Sequence, residues 1–225
     1  MTLETNDGPP VLDPFEIRVL AVLAEKEALT PDNYPMTLNA ITNGCNQLSS
    51  RDPVMQLSDE TVQEVLQSLM QRKYVSGITQ AGARAAKYEH RMRIKYTLEQ
   101  DKLAVLTVLM LRGLQTAGEI RTRSGRLHEF KSVADVETCL QFLIDKYPPV
   151  VARLALAPGT KEPRYGQLLG GDAALAQQES AFGSASTSPS AQGSRVGQLE
   201  QEVAGLRSEV EALKQQFEDF KKQFE

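Results

Sequence analysis

The chain has 225 residues, 41% hydrophobic and 24% charged, a composition that supports one or two packed cores and excludes a disordered polymer. Its longest apolar run, residues 103–111, covers nine positions and contains Thr107, whereas a membrane span takes roughly 20 residues, so no membrane partner is expected. The net charge of −4 conceals a basic middle: residues 1–71 carry three basic and eleven acidic side chains, residues 72–131 thirteen and five, and residues 132–225 nine and thirteen. A polyanion, an acidic protein surface or the chain's own acidic first third would each answer that central block.

Residues 1–12 hold Glu4 and Asp7 and no basic stretch ahead of an apolar segment. They are expected to be disordered and to carry no secretory signal, which implies a cytoplasmic location. Residues 13–98 then predict a first winged-helix domain. Asp13-Pro14-x-Glu16 supplies an N-cap, an N1 proline and a capping-box acid for a helix reaching Leu29. Pro35 is read as the start of a second helix reaching Gln47, and Ser58 caps a third on the stripe Val62, Val65, Leu66, Leu69 and Met70. Two strands follow, residues 74–78 and 88–98, joined by a loop rich in Ala and Gly.

Residues 99–171 repeat the pattern as a second winged-helix domain. A helix over 103–112 precedes the capping box Thr116-x-x-Glu119, and a third helix over 132–146 shows the stripe Val133, Val136, Leu140 and Leu143. Strands over 150–156 and 164–169 are turned by Pro158-Gly159. The predicted fold class is mostly α with small β wings (α+β), two tandem winged helices with no residues left for a catalytic domain. The helix over 103–111 is apolar nearly all round, so it needs cover on more than one face, from contact between the two domains or across a dimer.

Residues 172–194 are Ala, Ser, Gly, Gln or Thr at 18 of 23 positions and read as a flexible linker. Beyond it, residues 195–225 carry a heptad seam of Val196, Leu199, Val203, Leu206, Val210, Leu213, Phe217, Phe220 and Phe224. Parallel pairing sets Glu202 against Arg207 and Glu209 against Lys214, which favours a coiled-coil homodimer. A single amphipathic helix folding back on the body is the alternative.

No glycine-rich phosphate loop, Gly-x-Ser-x-Gly or His-Glu-x-x-His is present, so neither enzymatic activity nor a cofactor is expected. Cys45 and Cys139 fall on apolar stripes as reduced core residues. With His90 and His128 they have no ligand spacing that would preorganise a metal site.

Nucleic-acid contact has support in the basic block. Read as one strand, residues 88–98 put Arg91, Arg93 and Lys95 on a single face, with Arg84 and Lys87 near the wing tip. In the second copy Arg121, Arg123, Arg126, His128 and Lys131 lead into the third helix, the segment of a winged helix that approaches the duplex backbone. The candidate contacts to double-stranded DNA are therefore Arg84, Lys87, Arg91, Arg93, Lys95, Arg121, Arg123 and Arg126. Against this stand the third helices, whose polar faces hold Asp59, Glu60 and Glu64 in one case and Asp135, Glu137 and Asp145 in the other, where phosphates would be repelled. The alternative is a protein-interaction adaptor that uses those acidic helices and the coil, without DNA contact.

Several ordered motifs between residues 13 and 171 resemble the bacterial YceH family of tandem winged-helix proteins. They include Thr30-Pro31-Asp32-Asn33-Tyr34-Pro35, Leu38-Asn39-Ala40, Cys45-Asn46-Gln47 and Arg51-Asp52-Pro53-Val54. Further along are Leu109-Met110-Leu111-Arg112-Gly113, Gln115-Thr116, Gly118-Glu119 and Pro158-Gly159-x-x-Glu162-x-Arg164-Tyr165-x-x-Leu168-Leu169. The resemblance implies the tandem fold and brings no established activity with it. The chain departs from the family pattern at Leu48, where a lysine is common, and at Ser50, Leu114 and Gln167. The first change weakens a phosphate-contact role for the loop between the second and third helices. Asn46-Gln47 and Arg51-Asp52 read as either a recognition surface or local structural pairing.

Overall fold

The computed structural model describes residues 11–79, 86–156 and 160–186. Its first half comprises α1 (Pro14–Leu29), β1 (Met36–Thr37), α2 (Leu38–Cys45), α3 (Asp59–Gln71), β2 (Val75–Ile78), β3 (Lys87–His90) and α4 (Met92–Tyr96). The second comprises α5 (Gln100–Arg112), α6 (Ala117–Ser124), α7 (Val133–Ile144), β4 (Val151–Arg153), β5 (Tyr165–Gln167) and α8 (Gly171–Ser186). The fold is α+β, with small antiparallel sheets among the helices.

Side-chain oxygens decide where the helices begin. Asp13 and Glu16 close a capping box on α1, Thr116 and Glu119 another on α6, and Ser132 and Asp135 a third on α7. Thr37 caps α2 and Ser58 caps α3 through single bonds to Ala40 N–H and Thr61 N–H. The first sheet has the order β1-β3-β2, with Met36 opposite Tyr88 and Val75 opposite His90. In the second, β4 pairs with β5, and Gln115 adds an antiparallel bridge to Tyr165, each N–H donating to the other's carbonyl at 3.1 and 2.8 Å. The two halves thus match beyond their helices, since a residue paired to the hairpin immediately precedes the Thr cap of the second helix in both.

Residues 103–111 of α5 are buried throughout, and α5 packs most extensively on α1, with α6, α7 and β5 covering its other faces. The cover predicted for this helix therefore comes from within the chain. One hydrophobic cluster runs from Leu20, Leu66 and Leu69 to Leu106, Leu140 and Leu143. Both repeats belong to a single compact unit that reaches Glu179, and the chain from Ser180 forms a second.

Four expectations change. Pro35 does not open the second helix: it lies at a bend just ahead of β1, and α2 starts two residues after Met36, behind its Thr37 cap. Residues 88–98 are not one strand. Strand β3 ends at His90 and the chain coils into α4, because Met92, fully buried, and Tyr96 lie four residues apart on one helical face while Ile94 is 71% exposed. The segment expected as linker from residue 172 is helical through Ser186. Leu175 seats this helix over Gly166, where an added Cβ would stand 2.3 Å from the Leu175 Cδ1 and 2.8 Å from the Leu114 Cδ2. At the other end, Leu12 is buried rather than disordered, its N–H donating to the Leu169 carbonyl at 2.7 Å. The predicted coil, residues 195–225, and the Pro158-Gly159 turn lie outside the described residues.

Candidate interaction surfaces

The change from strand to helix at residue 91 scatters the cations expected on one face. Arg93 turns inward, its Nε and Nη2 donating to Glu27 Oε2 at 3.1 and 2.9 Å and its Nη2 also to Gln100 Oε1. Lys95 lies 4.0 Å from the Tyr74 ring centroid and donates to the Arg72 carbonyl at 3.1 Å, closing the end of α3. Arg91 and Lys87 remain exposed, and Arg84 lies outside the described residues. The end of β3 and the start of α4 are therefore tied to α1. His90 Nε2 lies 3.2 Å from Glu27 Oε2, and the hydrogen bonds from His90 and Arg93 bring the Glu27 carboxyl down to about 2 against the opposing effect of burial.

In the second repeat Arg121 also serves the fold, donating to the Phe130 and Lys131 carbonyls at 3.3 and 3.1 Å and so fastening α6 to the start of α7. Arg123 and Arg126 are exposed, and among the described residues no ion pair involves either of them. Arg112, which periodicity hid at the end of an apolar helix, lies near this group. Burial and the adjacent Arg123 and Arg51 guanidiniums push its pKa below the usual arginine value. The outward residues of α3 include Asp59, Glu60 and Glu64, and those of α7 include Asp135 and Glu137, with Asp145 at its C-cap, all exposed.

The motifs singled out in the sequence are mostly internal fastenings. Asn46 grips the backbone of Leu57 at both ends, Nδ2 to its carbonyl and Oδ1 from its N–H, each at 2.8 Å. Arg51, fully buried at its side chain, binds Glu25 of α1 at 3.1 and 2.7 Å and Gly44 O at 3.1 Å. Arg18, at the same junction, donates to Cys45 O and Pro53 O at 3.1 and 2.6 Å. Tyr34 Oη accepts from His90 N–H at 2.7 Å, and Arg164 pairs with Glu119 at 2.8 Å. Asn46 and Arg51 thus serve the fold, but through Leu57 and Glu25 rather than through the local Arg51-Asp52 pairing expected.

Burial pushes the Cys45 and Cys139 thiols up to about 12, so both are neutral at physiological pH and poor nucleophiles. Among the described residues no three His, Cys, Asp or Glu side chains converge as a metal would require. No described helix is long and apolar enough to cross a membrane.

A family model described as a protein of unknown function, DUF480, matches residues 12–160. The chain belongs to this family. Among its relatives, a UPF0502 protein of Janthinobacterium sp. (strain Marseille) is 64% identical over 201 residues, covering 89% of this chain and 86% of its own. A UPF0502 protein of Herminiimonas arsenicoxydans is 62% identical over 200 residues, with 87% and 83% covered, and one of Aromatoleum aromaticum is 52% identical over 202 residues, with 90% and 89% covered. The DUF480 match spans the first repeat and the second as far as residue 160, in agreement with the YceH-type resemblance of the motifs, and it brings no activity with it.

Proposed function

We propose that this DUF480 chain is a non-enzymatic, cytoplasmic tandem winged-helix protein whose main work is protein–protein interaction. Three helices and a hairpin, with a short paired segment ahead of the second helix, occur twice and support the winged-helix reading. One observation carries the choice of partner: the third helices, which a DNA-binding winged helix lays in the major groove, turn Asp59, Glu60, Glu64, Asp135, Glu137 and Asp145 outward. Meanwhile Arg93, Lys95 and Arg121 each donate hydrogen bonds to the chain's own Glu27, Arg72 and Phe130, although Lys95 and Arg121 stay exposed. The heptad seam from Val196 to Phe224 supports a homodimer, which would present each acidic face twice.

Nucleic-acid contact is the second reading, favoured by the exposure of Lys87, Arg91, Arg123 and Arg126. Fluorescence anisotropy of a labelled mixed-sequence duplex at about 50 and 200 mM salt separates the two. The protein-interaction reading expects no binding at the lower salt. It also expects a photo-crosslinker at Gln67 of α3 to yield a discrete protein adduct in cells that the Glu60→Lys/Glu64→Lys variant loses. Salt-steep micromolar binding abolished by Arg123→Glu/Arg126→Glu would establish the nucleic-acid reading in its place.

A further inference from the structure

The loop between α2 and α3, residues 46–57, is exposed at its tip yet held from beneath at many points. Arg18 and Arg51 reach its carbonyls and those of the α2 end from inside the molecule, and Asn46 closes its base on Leu57. The Asp52 N–H donates to the Leu111 carbonyl at 2.8 Å, which anchors the loop to the end of α5. Ser50, with a φ of 62°, is held in the left-handed region. A loop fixed this firmly nevertheless displays Leu48, 81% exposed, and Val54, 48% exposed.

Cations stand beside it. Arg112 donates to Ser50 Oγ at 2.5 Å, two residues from Leu48, and Arg123 of α6 is close enough to act on Arg112 electrostatically. The nearby carboxylates are mostly engaged: Glu25 by Arg51 and Lys26, and Glu119 by Arg164. Asp52 is the exposed carboxylate of the loop itself.

We propose that Leu48 and Val54 on this loop, with Arg112 and Arg123 beside them, form a docking surface for an acidic amphipathic segment of a partner protein. Charge complementarity selects an acidic occupant, and the fixed apolar side chains select a peptide, because a phosphate backbone has no apolar groups to place on them. Preorganisation by the buried arginines spares the loop the entropy of ordering on binding. This surface differs from the acidic faces of α3 and α7, so it extends the adaptor reading without depending on it.

The test is selection of a random-peptide display library of about 16 residues on the full-length chain. Selected peptides are then measured by anisotropy against wild type, Leu48→Ser, Arg123→Glu and Glu60→Lys/Glu64→Lys, each variant checked for an unchanged thermal unfolding midpoint. The docking surface predicts enrichment of acidic sequences bearing spaced Leu, Ile or Phe. It also predicts at least ~10-fold weaker binding to Leu48→Ser and to Arg123→Glu and unchanged binding to the α3 variant. Failure to enrich, enrichment of non-acidic peptides, or binding indifferent to Leu48 and Arg123 would overturn it. So would a duplex competing at this surface with an affinity that Arg123→Glu removes and Leu48→Ser leaves intact, which would assign the cations to nucleic acid.

Discussion

Arg51 shows how far a residue's neighbours can change its meaning. In sequence it is one of three cations in the acidic first third of the chain and a reasonable contact for an external anion. In the folded chain its guanidinium is sealed against Glu25 and the carbonyls of Gly44 and Ser50. Two charges removed from water gain little over an apolar pair, but removing one leaves the other buried without a counterion. Arg51→Met is therefore expected to destabilise the protein by about 3–5 kcal/mol, and adding Glu25→Leu to recover most of that loss. Urea denaturation of both variants checks the pair, and a double variant as unstable as the single would show that Arg51 matters for its loop bonds instead.

Among elements, α4 is the one that sequence periodicity misassigned. Residues 88–98 alternate well enough to pass for a strand, yet the same positions read with a spacing of four at Tyr88, Met92 and Tyr96. Choosing between the periods depended on partners far away in the chain. Glu27 of α1 takes His90 and Arg93, the Tyr74 carbonyl takes the Arg91 N–H at 2.7 Å, and Thr97, with a φ of 50°, ends the turn. Because hydrogen bonding lowers the folded Glu27 carboxyl from 4.5 to about 2, its stabilisation is complete above pH 4.5 and disappears as the pH falls through about 2. Glu27→Gln should lose about 1–2 kcal/mol at neutral pH, less than the full shift because solvent screens the partly exposed carboxylate, and depend less on pH between those limits than wild type does. Unfolding free energies at a series of acidic pH values test this, and parallel curves for the two proteins would refute it.

At the scale of the whole molecule, α5 decides that two repeats behave as one body. With Leu106 fully buried and both α1 and α7 packed against the helix, core packing passes through α5 from one repeat to the other. Leu106→Ala should cost about 2–5 kcal/mol. The amides of α3 and of α7 should lose hydrogen-exchange protection together, and wild-type protection retained in either repeat would contradict the shared core.

The sequence by itself determined the starts of α1, α3, α6 and α7, the order of three helices and two strands within each repeat, the α+β class and the burial of residues 103–111. These follow from local physics: a cap oxygen needs only the next three residues, and an apolar helix face needs only its own spacing. Whether Arg93 meets Glu27, whether α8 docks through Leu175 on Gly166, and whether Arg112 reaches Ser50 were settled by tertiary structure alone. A cation's partner is chosen by proximity in space, and residues 27 and 93, or 112 and 50, become neighbours only after the core has brought their helices together.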